Sequence, residues 1–310
     1  MRCYYMSGAG NDFVVIDGRN CTEDYETLSK TLCARMGADG FMALDVSEQA
    51  DFRLHFYNAD GSRGEMCGNG SRCICKFAYD SGIAGPQMAV QPDAGIVEGW
   101  RINENRYRVC LTRPTDIDLQ AKDGVAYAVC GVPHALVEKP DLQWDQKELL
   151  REEAKALRFD PLFPKGTNVD FYRFLDEKTL RILSYERGVE DYTLACGTGC
   201  GALTAMLYTA GKMRTNTLTI HNPGGTLEVT AEGNGGLISR LLLEGPAELI
   251  SVFDIFAKGA AHRPPPTIQF ENKHVFLGCL NIRDTPFSLI LLCLPQCRLP
   301  GLQDPASDWE

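Results

Sequence analysis

The sequence is short of long apolar runs, of histidine, of paired-cysteine motifs and of positive charge, and each shortage closes off a class of function. The most apolar late stretch, SLILLCL at 288–294, falls far below the roughly 20 residues of a bilayer-crossing helix, so no membrane span is expected. The opening MRCYYMSGAGNDFVV has no apolar core behind a basic start, so no secretory signal is expected either. With 31 Lys and Arg against 41 Asp and Glu, a net charge of −10, the chain lacks the cationic surface that a phosphate backbone demands. Nucleic acid is therefore not an expected partner, and a small molecule is. Only five histidines and no Cys-x-x-Cys leave no usual zinc pattern, and no metal is expected. Thirteen cysteines, an odd number in a chain too large to need disulfides, point to thiols kept reduced in the cytoplasm.

What is present fits a globular protein of about two domains: 310 residues, 44% hydrophobic and 23% charged. Short β-rich runs recur at 13–17, 52–57, 106–111, 179–185, 226–231 and 237–243, several alternating at period two as half-buried antiparallel strands do. Helical periodicity is confined to 25–36, 73–81, 143–157 and 200–210. Helices set into sheets, without a regular βαβ series, predict an α+β fold.

A near-repeat carries more information than any single element. Residues 66–81 read MCGNGSRCICKFAYDS and residues 195–210 read ACGTGCGALTAMLYTA, each behind a strand and an acidic loop. Both place a cysteine, Cys67 or Cys196, ahead of a glycine-opened helix. There the unsatisfied backbone N–H groups and the positive end of the helix dipole favour thiolate over thiol. Gly68, Gly70, Gly197 and Gly199 let a ligand approach backbone amides that no side chain shields. Two such loops facing each other would clamp a carboxylate. The other cysteines, Cys3, Cys21, Cys33, Cys73, Cys75, Cys110, Cys130 and Cys200, read as small buried hydrophobes.

The remaining candidates are unremarkable one by one. Gly8-Ala9-Gly10-Asn11 resembles the opening of a dinucleotide fingerprint, but the third glycine is missing and a strand follows, which excludes a Rossmann site. Asn11 is then either a turn residue or a ligand amide. His134 after a Val-Pro turn, Asn168 at the start of NVDFYRF and the Glu186-Arg187 pair each have a plain structural reading. After Phe256 the composition shifts: the last 54 residues hold 7 of the 16 prolines and read as a poorly ordered or surface-docked tail.

Taken together in order, GAGNDF, FYNADGS with MCGNGSRC, the Gly-x-Pro-His turn, TNVDF, YERGVEDYTLACGTG and LEGPAELI, the motifs over residues 1–256 resemble the diaminopimelate epimerase family. The resemblance implies two structurally similar αβ domains, 1–116 and 117–256, with a cleft between them and residues 257–310 outside the match. It implies cofactor-independent, two-base interconversion of LL- and meso-diaminopimelate for lysine and peptidoglycan synthesis, with Cys67 and Cys196 as the catalytic pair. His134 and Glu186 would tune the thiols, and Asn11, Asn58, Gly68, Asn69, Asn168, Glu186, Arg187, Gly197 and Thr198 would line the substrate site. It leaves a homodimer open. Three positions depart from the family pattern: Val132 stands where asparagine is usual, Tyr192 where Glu or Gln is common, and Pro92 where a threonine is usual. They leave room for a racemase of the same fold acting on another amino acid, or for a non-catalytic amino-acid-binding protein.

Overall fold

A computed structural model describes residues 1–64, 67–93 and 95–257 and the strand segments 277–280 and 287–292. Most of the expected tail at 257–310 therefore lies outside the described residues, as do Met66 of the first cysteine motif and Ala94. In chain order the first part comprises β1 (Arg2–Gly8), β2 (Asn11–Asp17), α1 (Tyr25–Met36), β3 (Gly40–Asp45), β4 (Phe52–Asn58), α2 (Gly68–Asp80), β5 (Gln87–Gln91), β6 (Val97–Asn103) and β7 (Arg106–Leu111). The second comprises β8 (Thr115–Lys122), β9 (Val125–Cys130), β10 (Val132–Glu138), α3 (Lys147–Arg158), β11 (Asn168–Phe174), β12 (Thr179–Glu186), β13 (Asp191–Tyr192), α4 (Gly197–Thr209), β14 (Thr217–Asn222), β15 (Gly225–Asn234) and β16 (Leu237–Pro246). β17 (Glu248–Ala257), β18 (Leu277–Leu280) and β19 (Phe287–Leu292) follow. The fold is α+β, and among the described residues no helix is long and apolar enough to cross a membrane.

The chain divides into two compact units, Met6–Glu248 and Met1–Tyr5 with Leu249 onward. Within Met6–Glu248 the strand ladders repeat. β2 pairs parallel with β3, β3 antiparallel with β4, β4 parallel with β5, β5 antiparallel with β6 and β6 with β7. β10, β11, β12, β14, β15 and β16 pair in the same sequence of senses. Each parallel pair is bridged by a helix, as a parallel crossover requires, so α1 matches α3 and α2 matches α4. The last strands of the two repeats, β7 and β16, pair antiparallel from Arg106↔Pro246 to Leu111↔Leu241, so each repeat ends on the other.

Local chemistry explains the helix ends. Asp24 caps α1 by accepting from the Thr27 N–H at 2.9 Å, and Gly37 closes it in the left-handed region at φ 66°. α2 and α4 begin five and three residues ahead of the expected 73 and 200, inside the glycine runs. Glycine is a poor helix former, so periodicity misses these turns. Their caps are Cys67 and Cys196 themselves, whose Sγ atoms accept from the Gly70 and Gly199 N–H at 3.4 Å each. α2 and α4 are buried along most of their length, whereas α3 buries only Ala154 and Leu157 against the β10–β12 core of Ala135, Val137, Val169, Phe171 and Leu183.

In the smaller unit the Met1 ammonium and carbonyl bind back to Ile255: the ammonium donates to its carbonyl at 2.6 Å, and the Ile255 N–H donates to the Met1 carbonyl at 2.8 Å. Arg2 pairs with Asp254 at 3.2 Å. β17 also pairs antiparallel with β19, from Val252↔Leu292 to Ala257↔Phe287. Removal of residues 259–310 is expected to leave catalysis within a fewfold of the full chain, because the repeats do not include them. It bares the β17 edge, so gel filtration should show self-association. A folded but inactive truncation would place the segment in the site or its support.

Candidate active site

The site is assembled from two like pieces and one polar sheet face. Gly68 opens α2 and Gly197 opens α4, and the two helix starts abut. A Cβ built on Gly197 would stand 3.6 Å from the Gly68 Cα, and on either glycine it would strike Leu243 Cδ2 at 2.8 Å. A side chain at 68 or 197 would therefore force Leu243 to shift, while the opposite helix start already lies at van der Waals distance. The cysteines capping these helices are thus brought to one cleft of about 580 Å³.

The second repeat contributes its polar face through strand geometry. Side chains two apart share a face, so Asn168 and Asp170 on β11, and Ser184 and Glu186 on β12, align. β10 sets His134 opposite Asn168, and β12 sets Ser184 opposite Asp170. The Asp170 carboxylate accepts from Ser184 Oγ at 2.5 Å and meets His134 Nδ1 at 2.6 Å, with His134 and Asp170 both fully buried. Asp170 also fills the space beside the first turn of α4: a Cβ on Gly199 would meet its Oδ1 at 2.5 Å. His134, Asp170 and Cys196 offer donor atoms within 4.8 Å of one another. They could share a metal ion, although both Asp170 oxygens are already engaged by His134 and Ser184.

Every residue that the resemblance places at the site lines the cleft except His134, whereas the Gly70 and Gly199 amides are taken by the cysteine sulfurs. His134 lies behind it, and His134 Nε2 is buried without a hydrogen-bond partner. Asn69 donates through Nδ2 to the Ala195 carbonyl at 3.0 Å and to Asn11 Oδ1, so Asn11 is held in a network as well as facing the cleft. Asn58 donates to Ser62 Oγ at 2.9 Å, Asn168 Oδ1 accepts the Arg187 N–H at 2.8 Å, and Thr198 Oγ1 stands 3.4 Å from Cys196 Sγ. Glu186 accepts from Thr193 Oγ1 at 2.5 Å. Val132 lines the cleft as an apolar wall, and Tyr192 also borders it, with its ring packed on Tyr185 at 5.4 Å and beneath the Arg151 guanidinium. A neighbouring hollow of about 680 Å³ shares Phe56, Asn58, Gly131, Val132 and Arg187 with the cleft and carries Arg63 and Lys165.

The electrostatics correct one expectation. Helix N-termini were expected to favour thiolate at both cysteines, yet burial pushes both thiols up, Cys196 strongly. The opposing effects differ in size: a helix terminus is worth about 0.3–1 kcal/mol, under one pK unit, whereas full burial, as at Cys196, shifts a group by up to about 3–5 units, and the half-buried Cys67 by less. The Glu186 carboxylate raises both thiols further, and Asp170 raises Cys196. The amides of Gly70 and Asn69 and the Arg72 guanidinium pull Cys67 down, and Thr198 and the Gly199 amide pull Cys196 down. Burial likewise raises Glu186, offset by its bonds to Thr193 and Cys196 and by His134. The tuning groups Glu186, Asp170 and His134 thus gather around Cys196. Asp170 and Arg72 escaped the sequence reading because an aspartate inside NVDF and an arginine inside GSRC look like ordinary surface charges until the sheet register and helix packing bury them.

Comparison with known proteins gives a match to the family profile described as diaminopimelate epimerase over residues 3–114 and 126–250. The diaminopimelate epimerase of Chlorobaculum tepidum is 38% identical over 254 residues, covering 79% of this chain and 97% of that one. Among solved structures, a hydroxyproline epimerase from Agrobacterium vitis with bound trans-4-hydroxy-L-proline has a TM-score of 0.63 at 15% identity, covering 81% of this chain and 91% of that one. A phenazine biosynthesis protein of the PhzF family from Bacillus anthracis has a TM-score of 0.61 at 14% identity, covering 82% and 98%. These two likenesses are of fold.

Because the raised thiols are mostly protonated at neutral pH, alkylation of Cys67 and Cys196 by iodoacetamide should be slower at pH 7 than for a free thiol. It should still be rising above pH 8.5, the ordinary thiol value of about 8.5 being exceeded. Mass spectrometry of the two peptides against pH checks this, and a rate already level at neutral pH would mean that the helix ends win.

Proposed function

The chain belongs to the diaminopimelate epimerase family, and on that premise we propose that it interconverts LL- and meso-diaminopimelate by two opposed thiols. Inverting a carbon that bears hydrogen requires a base to take the α-proton from one face and an acid to supply one from the other. The observation that carries the reading is the abutment of two Cys-Gly-x-Gly helix starts at one cleft. Cys67 and Cys196 are the proton carriers, one as thiolate and one as thiol, exchanging roles with direction. The N–H groups of both helix starts receive the substrate carboxylate, and their fixed positive potential stabilises the charge that spreads into it as the proton leaves. Thiols raised by burial suit both roles. Such a group is a strong base when deprotonated, and the carboxylate-rich surroundings of Cys196 favour its protonated form in the site without substrate.

Asn11, Asn58, Asn69, Asn168, Glu186, Arg187 and Thr198 bind the substrate's amino and carboxylate groups. His134 works from behind, through Asp170 and Cys196, as a positioning residue. We take residues 1–116 and 117–256 as the two domains, since the ladder repeat supports a division between β7 and β8. The chemistry asks nothing of a pyridoxal cofactor. A second reading, a racemase of the same fold for another amino acid, is favoured by one observation: Val132 puts an apolar wall where the family has an amide.

Assay of the pure protein with LL-diaminopimelate, following meso product without added cofactor, separates the two. Cys67→Ala and Cys196→Ala should each abolish epimerisation with the fold intact, and in deuterated solvent early product should carry deuterium at the inverted centre. Full activity in either variant would sink the two-thiol mechanism. Restoring the amide with Val132→Asn should lower KM about tenfold, the worth of one hydrogen bond to a charged group. An unchanged or higher KM would show that the cleft has repacked around another donor.

A further inference from the structure

The Arg72 side chain is the largest fully buried one among the described residues, and its partners are unusual for a cation. Nη1 donates to the Gly68 carbonyl at 3.2 Å, Nη2 to Asn69 Oδ1 at 2.9 Å and Nε to the Pro246 carbonyl at 3.2 Å. All three acceptors are neutral, and no ion pair to Arg72 is found among the described residues. A guanidinium stays protonated and donates at every nitrogen, so it dictates which way the Asn69 carboxamide faces: oxygen toward Arg72, NH2 toward Asn11 and the Ala195 carbonyl. Ala195 immediately precedes Cys196. One buried residue of α2 therefore reaches, through Asn69, the backbone that presents the cysteine of the other repeat.

We propose that Arg72 is a positioning residue of this site: its forked bonds fix the Asn69 bridge between the α2 and α4 starts, and its unpaired charge stands behind the Cys67 loop awaiting an anion in the cleft. Burying an uncompensated cation is costly, and the cost is offset when a carboxylate occupies the helix ends. The inference rests on the epimerase reading for the identity of that anion, but not for the geometry. Cys67 is faced by the Glu186 carboxylate of β12, by the Gly70 and Asn69 amides of α2 and by Arg72, so removal of the cation leaves it beside a negative group.

The test uses Arg72→Met, which keeps length and loses charge, and Arg72→Lys, which keeps charge and loses the fork. Thermal melts establish folding. Folded Arg72→Met should lose about tenfold or more in kcat, as small misplacements of reacting groups do, and should raise the pH midpoint of Cys67 alkylation. Arg72→Lys should return that midpoint toward wild type while kcat stays reduced, a split that loss of stability alone does not produce. Folded Arg72→Met with wild-type kcat and an unmoved midpoint overturns the proposal. If Arg72→Met does not fold, Arg72→Lys decides alone: reduced kcat with a wild-type midpoint supports the role, and wild-type kcat and KM overturn it. Alkylation needs no substrate. A wild-type protein inactive on diaminopimelate would thus refute the functional reading while the midpoints still decide the part played by Arg72.

Discussion

Two helices start against each other, and the rest of the site depends on that contact. Gly68 and Gly197 are close enough that a single methyl group at either would strike Leu243 and reach van der Waals contact with the opposite backbone. Glycine at the opening of both helices leaves Leu243 its place between them, and the amide ends of α2 and α4 line one cleft. The cysteines follow from the same geometry. Each caps its helix with sulfur in place of the usual oxygen, so the chemical group and the end of the helix are placed by one residue.

That arrangement carries an internal tension. The helix ends attract negative charge, while burial and two carboxylates oppose it at the thiols. Burial prevails for a small buried sulfur, whereas a carboxylate ligand would bring its own charge to several amides at once. The site therefore favours an anion supplied from outside over one formed by its own cysteines. The asymmetry between the two walls has the same origin: β10, β11 and β12 bring His134, Asp170 and Glu186 to the Cys196 side, whereas the Cys67 side has Arg72 behind it.

Much of the site was legible along the chain, because a repeated Cys-Gly-x-Gly is a local signature and local signatures survive in one dimension. Asn69, Glu186 and Thr198 were named only through the family resemblance, since each alone has a plain structural reading. The helix starts were misplaced by a few residues, because glycine hides a helix from periodicity while a cap, which depends on a single side-chain contact, reveals it only in three dimensions. The upward push on the thiols was not legible for a related reason: the helix dipole is written in the sequence, but desolvation is not.

By itself, the sequence determined the α+β class, the internal duplication and which two cysteines stand at the helix starts, since each rests on spacing or composition within a short window. The tertiary structure alone decided that β7 closes on β16, that His134 stands behind the cleft instead of in it, that Asp170 is buried between His134 and Ser184, and that Arg72 is buried against Gly68, Asn69 and Pro246. Those facts join residues up to 174 positions apart, and the strand register and helix packing that bring them together are properties of the folded chain as a whole.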